Sequence, residues 1–190
     1  MCPRCAQKNA PLEGDFAPTV LDRIWFGRGR SCFGYEGTLR DAIHVFKYEE
    51  GFHLLPFFVR ELSEQCRFFE AIDVIVPIPL HVKRLAERGF NQSALLSTSV
   101  GTALDVPVDL HVLERKRHDP PQVGKEGRER LSSVRSAFAV APKRRSTLNE
   151  KRVLLIDDVI TTGATVNEGA RALMKAGAKR VDVLSIARTL

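Results

Sequence analysis

Four apolar, β-prone residues, Val153-Leu154-Leu155-Ile156, run directly into two carboxylates, Asp157 and Asp158, and after two further residues into the turn Thr161-Thr162-Gly163-Ala164-Thr165. This stretch restricts the fold more than any other. An apolar run bounded this way reads as a strand buried on both faces of a parallel sheet. The carboxylates then fall at its carboxyl end, where open α/β sheets bind their ligands. The turn leads into a helical pattern with Val166, Ala170, Leu173 and Met174 on one face and Gly177 as its C′ residue. Gly163 lets the backbone approach an anion closely, the free N–H groups of the new helix point at it, and Thr161, Thr162 and Thr165 add hydroxyl donors. The pattern asks for a phosphate.

Two carboxylates would repel a bare phosphate, so the ligand needs further features. Carboxylates accept from a ribose 2′- and 3′-hydroxyl pair, and a magnesium-bound diphosphate suits hard oxygen chemistry. 5-Phosphoribosyl-1-diphosphate (PRPP) combines the three. Simpler readings of the parts remain: acid pairs also end strands in phospho-acceptor and metal-binding α/β domains, and a Thr-Gly turn can cap a helix. A P-loop is excluded, because no Gly-Lys-Ser/Thr follows. The whole stretch resembles the PRPP-binding motif of type I phosphoribosyltransferases. By that resemblance Asp157 and Asp158 take the ribose hydroxyls, and Thr161, Thr162, Gly163, Ala164 and Thr165 cradle the 5′-phosphate.

At 190 residues and 44% apolar content the chain suits one domain with a small appendage. No stretch has the length of a membrane span, and Met1-Cys2-Pro3-Arg4-Cys5 lacks signal-peptide character, so a cytoplasmic location is expected. Four cysteines without a secretory signal argue against a disulfide scaffold. The net charge of +6 is concentrated: residues 111 to 152 hold twelve Lys and Arg against five acids. A basic segment suits a polyphosphate ligand, and equally a nucleic-acid backbone.

Cys2-Pro3-Arg4-Cys5 is half of a zinc-ribbon signature, and no second Cys-x-x-Cys follows. Zinc bound by this chain alone is therefore not expected. Cys32 and Cys66 read as buried apolar positions, and residues 6 to 29 as a loosely ordered lead-in. Ser31 to Glu36 reads as a strand, Leu39, Ala42, Ile43 and Phe46 as a helix face, and 52–66 as a second helix. His44 and Lys47 could face a ligand, although a solvated helix face is the expected home for both. Ala71 to Pro79 reads as a second buried strand, followed by a basic turn. There Lys83 and Arg84 are the candidates for a diphosphate, against the alternative of plain surface charge. A helix is expected over 93–104 and a third strand over Val106 to Leu113. Arg115 to Arg130 is polar and aperiodic, as lids and binding loops are. A helical turn at Leu131 and Val134, a strand at Ala137 to Val140 and a closing strand at Val181 to Ala187 complete the chain.

Three stretches agree on one family. Phe33-Gly34-Tyr35-Glu36-Gly37 through Lys47-Tyr48, Pro77-Ile78-Pro79-Leu80 through Arg88-Gly89-Phe90-Asn91-Gln92, and the PRPP motif together resemble ComF-family proteins. These phosphoribosyltransferase-like proteins are associated with competence for DNA uptake and with GntX-type relatives. The resemblance covers residues 31 to 190 and implies an α/β fold, an open, mainly parallel sheet flanked by helices with a small N-terminal hood. Residues 1 to 30 become a residual or truncated cysteine-containing lead-in, where the family carries a two-pair zinc module. Asp119 and Ser133 stand where the family usually has Thr and Asn. The implied ligand is PRPP with Mg2+, and Arg115, Lys116 and Arg117 are implied to close over its diphosphate. Three functions stay open: a phosphoribosyltransferase with an unidentified acceptor, a DNA-uptake protein binding single-stranded DNA weakly or acting through a competence-machinery partner, and a PRPP sensor without turnover.

Overall fold

The computed structural model describes residues 11–18, 21–116 and 137–190. Its apolar runs become parallel strands: β1 (Gly29–Gly34), β2 (Val74–Pro77), β5 (Arg152–Ile160) and β6 (Arg180–Arg188), in the spatial order β1-β6-β5-β2. The two nine-residue strands β5 and β6 lie in the middle, which explains their near-continuous apolar sequences, since both faces are covered. Pro77 pairs with Ile156, and Asp157 with Ser185. The carboxyl end of β2 and the Ser185 position of β6 therefore flank the acid pair, which lies three residues and two residues before the end of β5.

Helices α1 (Gly37–Tyr48), α2 (Leu55–Cys66) and α4 (Gln92–Leu104) cover one face of the sheet. Leu39, Ile43 and Phe46 of α1, Phe58 and Leu62 of α2, and Leu96 and Val100 of α4 are buried with Leu154, Ile156, Leu184 and Ile186. A one-turn 3-10 helix at Phe52–Leu54 precedes α2, and a short helix α3 (Val82–Arg88) stands between β2 and α4. On the other face α5 (Ala164–Lys175) buries Val166, Ala170 and Leu173 against Val153, Leu155, Val181 and Val183. That layer also holds an antiparallel ribbon of β3 (Leu113–Arg115) and β4 (Phe138–Val140). The alternation along β5 is the period-two rule of a strand, which sends Leu154 and Leu155 to opposite cores.

Two sequence expectations change. The described part of the lead-in is not loosely ordered. Leu12 N–H donates to the Cys32 carbonyl at 2.8 Å, Phe16 N–H to the Gly29 carbonyl at 2.7 Å, and Gly27 N–H to the Val181 carbonyl at 2.8 Å. Phe16, Leu21 and Trp25 pack beside buried Phe26 on the α5 face. Pro and Gly signalled loop conformation there, but the scattered aromatics carry the packing. The strand expected over Val106 to Leu113 is reduced to a single parallel bridge between Val108 and Ile75, and β3 begins only at Leu113. Pro107 and the Asp109 turn, whose carboxylate accepts from His111 N–H at 3.0 Å, interrupt any longer ladder.

Candidate functional site

Asp158 is buried on the face of β5 that carries α1 and α4. Lys47 Nζ, from the last turn of α1, lies 3.0 Å from Asp158 Oδ1, and Gln92 Nε2, at the start of α4, donates to Asp158 Oδ2. Asp157 is half-buried and receives two donors on Oδ1: Ser93 Oγ at 3.1 Å and the Asp158 N–H at 2.9 Å. Loss of hydration, then the neighbouring Asp158 charge, pushes the Asp157 carboxyl up to about 7, against the opposing pull of Lys47 and the hydrogen bonds. The pair thus combines one ion-paired carboxylate with one carboxyl poised near neutrality.

Lys47 is not on the solvated face expected for it. Its side chain is 16% exposed. The signal was in the spacing, because Lys47 follows Ile43 by four residues and so shares the inner edge of α1. Gln92 was legible only as part of a motif and Ser93 only as the start of a helix, neither with a role. Their placement follows from local chemistry. Gly89 adopts φ 81°, which stops α3 in a left-handed cap. Phe90 then packs with its ring centroid 6.2 Å from Phe46 and 5.1 Å from Phe52. Asn91 caps α4, its Oδ1 accepting from Ser93 N–H at 3.0 Å, while its Nδ2 donates to the Ile78 carbonyl at 3.1 Å. The end of β2 and the start of α4 are tied together, and Gln92 and Ser93 face the acid pair. Arg88 donates to Tyr48 Oη at 2.8 Å with its guanidinium 4.6 Å above the ring. Lys47-Tyr48 and Arg88 to Gln92, distant in sequence, form one structure around Asp158.

The hydroxyl turn follows β5 as expected. Gly163 has φ 74° and is the N-cap of α5, with Asn167 N–H donating to its carbonyl at 2.9 Å. Thr162 Oγ1 accepts from Ala164 N–H at 3.4 Å, Thr161 is exposed and Thr165 is half-buried. The glycine has a second reason that the sequence hid: a Cβ at Gly163 would lie 2.6 Å from Pro18 Cγ of the lead-in. A cleft of about 430 Å³ opens beside the turn, lined by Phe16, Pro18, Thr161, Thr162, Gly163 and Arg188 among others. The acid pair is not among its lining residues.

Lys83 and Arg84 lie not in a turn but in the first turn of α3, Lys83 exposed and Arg84 half-buried. The structure brings α3 directly after β2, the strand beside β5, without a contact from either side chain to the acid pair. Arg115 belongs to the ribbon, not to a long loop: it ends β3 with its guanidinium 5.4 Å from the Phe138 ring. Arg117, Leu131 and Val134 lie outside the described residues, as do Cys2 and Cys5. Cys32 and Cys66 are buried free thiols, the latter pushed up to about 12 by burial. Among the described residues no group of three or more His, Cys, Asp or Glu is arranged to hold a metal ion, and no helix is long and apolar enough to cross a membrane.

Residues 57–189 match the phosphoribosyl transferase domain family. Competence protein F of Haemophilus influenzae is 33% identical over 161 residues, covering 81% of this chain and 69% of that protein. Competence protein ComFC of Streptococcus pneumoniae is 31% identical, covering 97% of this chain and 83% of its own. The chain belongs to the ComF family. DNA utilization protein YhgH of Escherichia coli is a further relative of this ComF-family chain, 29% identical across its whole length and 78% of the relative. The parallel sheet, the acid pair and the hydroxyl turn are thus the phosphoribosyltransferase-like domain of a ComF-family protein, and its fold is the one the sequence implied.

Proposed function

We propose that this domain binds PRPP with magnesium and supports transfer of its phosphoribosyl group to an acceptor. The observation that carries the reading is the continuity of β5 with α5: two carboxylates, a hydroxyl turn and a helix N-terminus follow one another within nine residues, 157–165. Asp157 and Asp158 accept from the ribose hydroxyls. The N–H groups opening α5, with Thr161, Thr162 and Thr165, hold the 5′-phosphate. Lys83 and Arg84, after the neighbouring strand β2, meet the diphosphate, and Arg115 at the end of β3 joins them; Arg117 takes the same role on the sequence alone. The acid pair is engaged by Lys47, Gln92 and Ser93, which fits an ion carried on the diphosphate better than one held by the chain. When bound, magnesium would neutralise charge on the leaving diphosphate. The chain's own part is to fix the sugar, favour positive charge developing on its ring, and exclude water.

Calorimetry with PRPP and magnesium, followed by diphosphate release across a panel of nucleobases, tests the two halves separately. Binding with release supports an enzyme. Binding without release for any base supports a sensor, and absence of binding removes the reading.

A second reading, contact with single-stranded DNA, is favoured by the names of the relatives, which are competence and DNA utilization proteins. The basic segment gives it limited support. Lys116 pairs with Glu114, Arg144 with Asp109, and Arg152 with Asp73 through two nitrogens. Among the described residues of the segment, exposed Lys143, Arg145 and Lys151 would be left to meet phosphates, together with the basic positions between 117 and 135. Action through a protein partner of the competence machinery is the alternative within this reading.

A further inference from the structure

Resting on the PRPP reading, we propose that Lys47 is a charge-compensating positioning residue: it neutralises Asp158, so that a polyanionic sugar phosphate meets one unpaired carboxyl group and not two carboxylates. PRPP presents a phosphate and a diphosphate, while the motif that grips its ribose is acidic. That conflict needs a cation, and the motif itself contains none between Val153 and Val166. The structure supplies one from α1, more than a hundred residues away in sequence.

Lys47 Nζ sits 3.0 Å from Asp158 Oδ1, with the two side chains 16% and 7% exposed. In so sheltered a place a pair is screened far less than on the surface. The other groups facing Asp158 and Asp157 do not do the same work. Gln92 and Ser93 are neutral donors, and Arg88, a few residues before them, is committed to Tyr48. On β5 itself the neighbouring charge is Asp157, which is of the wrong sign. Asp157 retains its own escape, since its raised pKa lets it take a proton. With Lys47 paired to Asp158, the site is close to neutral before the ligand arrives.

The arrangement also says what Lys47 does not do. Its ammonium faces the carboxylate that the sugar uses, so its role is exerted through Asp158 and not on the reacting carbon. A lysine that only filled space could be replaced by a polar isostere. One that sets the charge of the pair could not.

The test uses the full chain with Lys47→Gln and Lys47→Arg, each checked for fold by circular dichroism and thermal melting. The titration of the Asp157 carboxyl is followed by carbon NMR without ligand, and PRPP–magnesium affinity is measured at pH 7. Removing the cation should move the carboxyl titration to higher pH and weaken PRPP by about tenfold or more, while Lys47→Arg should restore both in large part. An unmoved titration in Lys47→Gln would overturn the proposal, even if melting temperature and affinity both fell, because that would be a packing effect. Wild-type affinity in Lys47→Gln would overturn it as well. Failure of the unaltered chain to bind PRPP would instead sink the parent reading, and the NMR titration would still decide whether Lys47 sets the charge of the pair.

Discussion

Asn167 holds Trp25 across 142 positions of sequence: its Oδ1 accepts the Trp25 N–H at 2.7 Å, while its Nδ2 donates to the Arg23 carbonyl at 2.9 Å. A buried amide on α5 thereby replaces the strand partner that residues 23 to 25 lack. Asn167→Ala leaves both backbone groups unpaired and should cost about 1–3 kcal/mol. Urea unfolding gives the number, and hydrogen exchange should show protection lost first over residues 21–28. Equal stability in the variant would mean that water replaces the amide at no cost.

Gly163 and Pro18 form a second tie. Gly163→Ala meets two penalties, a left-handed backbone at φ 74° and a collision with the Pro18 ring. The backbone part alone should cost about 1 kcal/mol or more. Adding Pro18→Gly should recover the collision but not the backbone term. A double-mutant cycle on melting free energies that shows no coupling would disprove the contact.

The two acids should respond differently to neutralisation. Asp158→Asn leaves Lys47 buried without its counter-ion and should cost about 3 kcal/mol or more of stability. Asp157→Asn should leave the fold intact. Both should weaken PRPP, and the double variant should lose on the order of a hundredfold or more in affinity. Calorimetry giving equal affinity in the double variant would refute the site.

The pH dependence of stability has a definite sign. Asp157 titrates near 7 in the folded chain, above the 3.8 of the free side chain, so between these values the folded state holds a proton that the unfolded state has released. Stability should therefore fall as pH rises from about 4 to about 7 and level off above that. Asp73 acts oppositely. Hydrogen bonds from the Arg152 side chain and backbone hold its carboxyl well below the usual range, so its contribution is present above about pH 4 and is lost on further acidification. Chemical denaturation of Asp157→Asn across this range should lack the fall between 4 and 7. A parallel fall in that variant would assign the titration to another group.

For DNA, weak, sequence-indifferent binding in the micromolar range or weaker near physiological salt is expected. Arg128→Gln with Arg130→Gln should flatten the logarithmic salt slope by about one to two units if both residues meet phosphates. Fluorescence anisotropy on single-stranded oligonucleotides at low salt measures this, and no detectable binding would rule out direct contact by this chain.

The sheet was legible because β2, β5 and β6 are apolar on both faces, a pattern that needs no partner to be recognised. The acid pair and the turn were legible because strand, carboxylates, hydroxyls and helix are contiguous. Lys47 was placed on a solvated face rather than toward a ligand for the opposite reason: on α1 it is one charged residue beside Tyr48, Glu49 and Glu50, and only the third dimension brings it to Asp158. The lead-in was misread because its order comes from pairing with β1 and from Asn167 and Val181, both distant in sequence, and not from any period of its own. Lys83 and Arg84 were read as a turn because Pro77 and Pro79 obscured the helix start at His81, whose Nδ1 accepts from Lys83 N–H at 3.3 Å.

Lys116 N–H donates to the Ala137 carbonyl at 2.8 Å, just beyond the ribbon pairs Leu113–Val140 and Arg115–Phe138. The two ends of positions 117–136 are thus held side by side by the described ribbon, with Leu113 and Phe138 anchored in the core. A substitution at either anchor would loosen both ends at once. Where that stretch joins the fold is therefore set by packing on the α5 face and not by its own charge.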